Sequence, residues 1–276
     1  MVPTLHRLVG GTPPTLNAPS ITGPHAHVFP LDANLSVDGT PQSGTGQAAL
    51  LTGVNAAEEF GRHFGPWTPV ALRPLVEERS LLRLAMDEGH SAIFANAYPR
   101  GWPGSRGRRR VAGPPLAARG AGLMNRHEEA LGRGEAVTSE IVNDGWQRHL
   151  GHTSLPDVTP REAGVNLARI AAGADLTLYA HYATDTVGHR GTMEEALDAI
   201  VMVDQFLEGI LSALPESHSL LVTSDHGNLE DTSGGHTRNP VLALAAGPAA
   251  EGWAQELESI CDVTPAILRY LANRAG

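Results

Sequence analysis

DLTLYAHY (175–182), GTMEEALDAIVMVDQFLEGILSAL (191–214) and SLLVTSD (219–225) follow one another in the C-terminal half, and their order decides the fold. The outer two are short apolar runs that end in polar residues, as buried strands do. Between them Ala196, Ile200, Val203, Leu207 and Ile210 step by four and three, which predicts a helix with one apolar stripe. A third strand is predicted over NPVLALAAG (239–247), and DVTPAILRYLANRAG (262–276) closes as a helix capped near Asp262 or Thr264. Strands alternating with helices of this length imply an α/β fold: a mostly parallel sheet with helices on both faces.

The N-terminal half repeats the grammar. HVFPLDANL (27–35) contains a short strand, GQAALLTG (46–53) a short helix, 70–89 a long amphipathic helix and SAIFANA (91–97) a strand. Between 98 and 155 the alternation fails, because YPRGWPGSRGRRRVAGPP (98–115) is rich in Gly, Pro and Arg and only short helical pieces follow it. The expected organisation is one core built from 1–97 and 156–276, with 98–155 inserted as a small cap.

Composition narrows the function. A 276-residue chain with 41% hydrophobic and 18% charged residues can bury a sizeable core. A net charge of −10 argues against nucleic-acid binding by bulk charge. All 20 basic residues are Arg, so Schiff-base chemistry and a P-loop lysine are excluded. Cys261 is the single cysteine, which leaves no disulfide framework and no Cys-based zinc site. No apolar run approaches a membrane span, and MVPTLHRLVGG (1–11) is not a secretory signal, so cytoplasm is the default compartment.

Acids and histidines gather after the strands. In YATDTVGHRG (182–191), Asp185 and His189 are four apart and share a face if a helical turn forms. Asp225 and His226 stand side by side at the end of SLLVTSD, and His236 follows in GGHTRNP just before the next strand. Strand ends are where open α/β sheets place their sites. One Asp and two His can hold a divalent zinc or manganese ion. Adjacent Asp225 and His226 point to opposite sides, and so can serve a second ion or bridge two. Two such ions clamp the entering and leaving oxygens in phosphoryl transfer.

A nucleophile candidate lies in TPQSGTGQAALLTG (40–53), where a loop of small residues runs into a helix. Ser43 sits near the helix N-terminus, which favours an anion, and metal coordination would activate its hydroxyl. The same residues also fit a plain N-cap and a glycine loop.

YATDTVGHRG, TSDHGNLED and GGHTRNPV together resemble the metal-binding segments of cofactor-independent phosphoglycerate mutases, and so of the alkaline phosphatase superfamily. SGTGQAALLTG is similar to that superfamily's nucleophile segment, whose Ser, Thr or modified Cys stands ten residues before a Gly. Counting back from Gly53 gives Ser43, with Thr45 as the fallback. The resemblance covers roughly 30–95 and 155–272. It implies that Asp185, His189 and His236 hold one ion, and that Asp225 and His226 hold the other with Ser43. There are two departures. The mutases carry a larger inserted domain than this chain accommodates. The superfamily's first strand ends in Asp-Gly, whereas MVPTLHRLVGG looks like the helix after it, so a further ligand and a central strand are expected to be missing; Asp32 and Asp38 are the nearest carboxylates.

Arg100, Arg106, Arg108, Arg109, Arg110, Arg119, Arg126 and Arg133 crowd the insertion, and Arg190 and Arg238 flank the metal motifs. Arginines so placed can fork onto a phosphate, and Arg190 and Arg238 are the nearer candidates. The reading that follows is a two-metal phosphatase or phosphotransferase (two divalent ions, Mn or Zn). It acts on a small phosphorylated substrate through a phosphoserine at Ser43. A phosphomutase using the same residues, and a degenerate single-metal binding protein, are the alternatives.

Overall fold

A computed structural model describes residues 2–11, 14–104 and 110–274. Its strands are β1 (Ile21–Thr22), β2 (His27–Leu31), β3 (Ala92–Phe94), β4 (Leu176–Leu178), β5 (Leu220–Val222) and β6 (Val241–Ala246). β3 and β4 form a parallel pair, and β1-β2-β6-β5 form a four-stranded sheet. With helices between and around them, the class is α/β.

The four-stranded sheet is antiparallel at every pairing, which corrects the expectation of a mostly parallel one. The reason is the connection. Parallel neighbours need a crossover, usually helical, whereas residues 223–240 between β5 and β6 contain no helix. The chain therefore turns back, and β6 pairs antiparallel with β5. β3 and β4 are joined through several helices, and they do run parallel.

The helix expected over 191–214 spans Met193–Ala213 and opens with a capping box: the Thr192 hydroxyl accepts from Glu195 N–H, and the Glu195 carboxylate accepts from Thr192 N–H. It lies against the helix Pro160–Ala171 with backbones touching, since a methyl group on Gly164 would overlap the Phe206 carbonyl. Its Asp204 is buried and accepts from Thr4 N (3.1 Å) and Leu5 N (2.7 Å), which ties down the helix Pro3–Leu8. The expected 70–89 helix is broken. A 3-10 turn (Val70–Leu72) leads into Arg73–Arg79, Ser80 turns extended (ψ 156°), and Leu81–Asp87 resumes.

The main core joins β2 and β6 to the helices Ser43–Thr52, Leu81–Asp87 and Val263–Arg274. Residues of the segment 98–155 join two different hydrophobic clusters. The helix Gly113–Gly120 lies in the main core through Leu116, Ala117 and Ala118. Further on, Ala130, Leu131, Ala136, Trp146 and Leu155 gather around Ala97 in a small cluster of their own. The run Pro115–Ala118 is apolar, and all four residues are buried. Arg106, Arg108 and Arg109 lie outside the described residues.

Candidate metal centre

Three chain segments meet where β4, β5 and the helix Ser43–Thr52 converge. β4 leads into the helix Ala183–Arg190, which carries Asp185 and His189 one turn apart on one face. β5 leads into Asp225 and His226. The loop after it closes through Thr237 N–H to the Gly227 carbonyl (3.0 Å), which brings His236 back beside His226. Gln42 is extended, the helix begins at Ser43, and Gly53 ends it in the left-handed conformation (φ 73°). Gly46 lets this helix meet the end of β5, because a side chain there would overlap the Asp225 carbonyl.

Asp185 stands at the centre. Its Oδ1 lies 3.4 Å from His236 Nε2, 3.5 Å from His189 Nε2 and 3.8 Å from His226 Nε2. The two Nε2 atoms of His189 and His236 are 2.8 Å apart, and the His226 and His236 rings stack with centroids at 3.7 Å. Ligand atoms about 2.0–2.2 Å from one tetrahedral ion are separated by about 3.4 Å. Asp185, His189 and His236 thus match a divalent-ion site in chemistry and spacing, with the His–His pair drawn in. Beside them, Ser43 Oγ is 2.9 Å from His226 Nε2, and Asp225 Oδ2 is 3.7 Å from the same nitrogen. That Asp225 oxygen is buried with no hydrogen-bond partner, a costly state that a cation would relieve.

Outer groups orient these side chains. The Asn228 amide donates to Asp185 Oδ1 (2.5 Å), and the Pro41 carbonyl accepts from His236 Nδ1 (2.9 Å), which leaves His236 Nε2 as the ligand nitrogen. Glu230 accepts from Asn228 N–H (2.8 Å) and Asn239 Nδ2 (3.2 Å), and also from the Thr237 hydroxyl, so it closes the loop that bears His226 and His236. Sequence reasoning missed Asn228, Glu230 and the Pro41 carbonyl. The first two stand within five residues of His226 in TSDHGNLED; the third is a backbone atom.

The charges balance within the cluster. Burial pushes the Asp185 carboxyl up, but its hydrogen bonds and the neighbouring imidazoles outweigh this and hold it below the ordinary carboxylate value. Burial pushes His236 down, while the Asp185 hydrogen bond, the Pro41 carbonyl and the Asp185 and Asp225 charges carry it above the ordinary imidazole value. An ion needs His236 unprotonated, so binding must expel a proton that is held more tightly than usual. Ion affinity is therefore expected to fall as pH drops, and to begin falling above the ordinary imidazole range. Manganese titrations at a series of pH values would read this; an affinity that stays flat across that range contradicts it.

Of the other candidates, Thr45 is committed to the backbone: its hydroxyl donates to the Gln42 carbonyl (3.3 Å) and accepts from Phe64 N–H (3.1 Å). Asp32 is a turn cap, accepting from the N–H groups of Asn34 (2.9 Å) and Leu35 (3.0 Å), and does not join the cluster. Asp38 is exposed on the wall of a neighbouring cleft. Arg190 ends its helix exposed, and Arg238 donates to Asn34 Oδ1 (3.4 Å). Arg100, Arg119 and Arg133 are taken up by Glu128 and Glu129, by Glu77 and by Glu135.

Residues 165–274 match the family described as Metalloenzyme superfamily, a span that holds all five Asp and His candidates. A 2,3-bisphosphoglycerate-independent phosphoglycerate mutase of Ruegeria sp. (strain TM1040) is 28% identical over 209 residues, 67% of this chain and 39% of the mutase. The protein of the same description from Ruegeria pomeroyi is 36% identical over 128 residues, 43% of this chain and 24% of that one. Over these spans the chain is similar to the metalloenzyme family and to phosphoglycerate mutases. The chain spans about two fifths of the first relative's length and about a quarter of the second's. Among solved structures it is similar to alkaline phosphatase from the Antarctic bacterium TAB5, at 13% identity and TM-score 0.47, over 90% of this chain and 88% of that one. No helix among the described residues is long and apolar enough to cross a membrane.

Proposed function

We propose that the chain transfers a phosphoryl group from a small phosphate ester through Ser43. The observation that carries this reading is the Ser43 hydroxyl, buried 2.9 Å from His226 Nε2 inside a cluster that includes Asp185, His189, Asp225 and His236. Asp185, His189 and His236 would hold one divalent ion, manganese or zinc; Asp225 and His226 would hold a second against Ser43. Ions in these positions supply two things: a lower proton affinity for the serine hydroxyl and neutralisation of charge on the phosphoryl oxygens. Ser43 Oγ attacks phosphorus, the ester P–O bond breaks, and the alcohol leaves with the proton Ser43 gave up. Water then attacks the phosphoserine, releasing inorganic phosphate and restoring the hydroxyl.

The mutase alternative returns the phosphoryl group to the same substrate at a new oxygen, and is favoured by the names of the relatives. It requires water to be kept from the phosphoserine, and Ser43 itself is only 6% exposed. The metal-loaded chain is expected to release phosphate from an aryl phosphate, and to stop when the ion is chelated. Phosphate release with no ion present would remove the proposal, and isomer formation without phosphate release would replace it by the mutase reading.

A further inference from the structure

We propose that Asn34 is a positioning residue for His236: its side chain anchors the loop that presents this histidine to Asp185 and His189. The inference rests on the metal-centre reading and adds to it a residue outside the cluster. Asn34 lies in the turn after β2, 204 positions from Arg238. Its amide nitrogen donates to the Arg238 carbonyl (3.0 Å), and its Oδ1 accepts from Arg238 Nε (3.4 Å). Arg238 is two residues beyond His236.

The loop is tied down mainly from one side of His236. Before the histidine, Asp231, Ser233 and Gly234 are exposed, Ser233 bonds back to Asp231 within the loop, and a methyl group on Gly234 would meet nothing within 4 Å. After it, Thr237 N–H donates to the Gly227 carbonyl (3.0 Å) and Arg238 is held by Asn34. The His236 ring itself donates from Nδ1 to the Pro41 carbonyl (2.9 Å). Asn34 and Pro41 belong to one segment, the run from the end of β2 to Ser43. That segment grips the His236 loop by its backbone and by its ring, and it leads directly into the serine.

The turn that carries Asn34 is rigidly built. Asp32 Oδ1 accepts from the Asn34 N–H (2.9 Å) and from its amide nitrogen (3.0 Å), and Asp32 Oδ2 accepts from Leu35 N–H (3.0 Å). Asn55 donates to the Leu35 carbonyl (2.9 Å), and His63 Nε2 to the Asn34 carbonyl (3.2 Å). Leu35 and Ser36 are both left-handed (φ 55° and 56°), a conformation that costs residues other than glycine and persists where the surroundings over-determine it. The Asn34 amide donates to Asp32 and to Arg238, which uses both of its hydrogens and locks one rotamer. A ligand whose loop is fixed in advance leaves less ordering to be done when an ion binds, and outer groups of this kind shift metal affinity about tenfold to a hundredfold.

Two measurements test this. In manganese titrations, Asn34→Ala is expected to weaken binding about tenfold to a hundredfold. Arg238→Ala keeps the carbonyl that accepts the shorter bond, and is expected to stay within about threefold of the parent. In the ion-free chain, amide hydrogen exchange reads the anchor directly. Thr237 N–H is expected to exchange about tenfold faster in Asn34→Ala, over and above any change in the amides of the helix Met193–Ala213, which report global stability. A merely structural Asn34 would speed both by the same factor. Asn34→Ser, too short to reach Arg238, gives the same two readings should the alanine variant fail to fold. Manganese binding by the parent reads the metal centre separately: if the parent binds none, that reading falls, and the exchange comparison still decides the anchor. The inference is overturned if Asn34→Ala keeps the parent's affinity, if Arg238→Ala loses as much affinity as Asn34→Ala, or if Thr237 exchanges no faster than the helix amides account for.

Discussion

Ser43→Ala is expected to abolish phosphoryl transfer, lowering kcat by about four orders of magnitude or more, the scale seen when a nucleophile is removed. The folded state should tolerate the change. Ser43 makes one side-chain hydrogen bond, to His226 Nε2, and the helix it begins owes its position to Gly44, Thr45 and Gly46 rather than to the hydroxyl. Thr45→Ala should behave in the opposite way. It removes the bond that fixes Phe64, so it costs about 1–2 kcal/mol of stability, and it leaves the nucleophile in place. Initial rates and Tm measured on both variants separate the roles. A Ser43→Ala protein that keeps its rate while Thr45→Ala loses it would move the nucleophile two residues along the helix.

Asp185→Ala is expected to cost one bound ion and to lower kcat by about three orders of magnitude, because a divalent ion contributes several kcal/mol of charge stabilisation in phosphoryl transfer. The expectation follows from its central place: one oxygen lies within 3.8 Å of three imidazoles. Without it, His189, His226 and His236 crowd together with no anion among them except Asp225, and a cation loses its only first-site carboxylate. Elemental analysis of the purified variant against the parent reads the loss directly. A variant that retains the full ion content would show that the histidines suffice, and would displace Asp185 from the ligand set.

The residue types in the site were legible in the sequence because metal chemistry restricts them. Asp185 and His189 could be paired from their four-residue spacing alone, and Asp225, His226 and His236 from their places at strand ends. Counting back ten residues from Gly53 preferred Ser43 and kept Thr45 as the fallback, since both are small hydroxyl residues in one glycine loop; the spacing alone gives no physical reason for the preference. A physical reason comes from Phe64, nineteen residues away from Thr45, whose N–H occupies the threonine hydroxyl. Strand direction was lost for a different reason. The apolar pattern of NPVLALAAG identifies a buried strand, but only the absence of a helix in 223–240 says that it must return antiparallel. The break at Ser80 had a signal in the spacing. Leu72 and Val76 are four apart, but the next buried apolar residue is Leu81, five further on, and position 80 of the stripe is the polar Ser80. The anchor at Asn34 left no periodic trace, because it joins two loops 204 positions apart.

Ser43 is proposed to receive the phosphoryl group inside a metal cluster. The direct measurement is acid quenching of the metal-loaded chain during turnover of an aryl phosphate, followed by peptide mass mapping. A phosphorylated peptide with the group on Ser43 is expected, present with manganese or zinc and absent after chelation. Turnover with no phosphorylated serine, or a phosphoryl group found on another residue or formed without the ion, would contradict it.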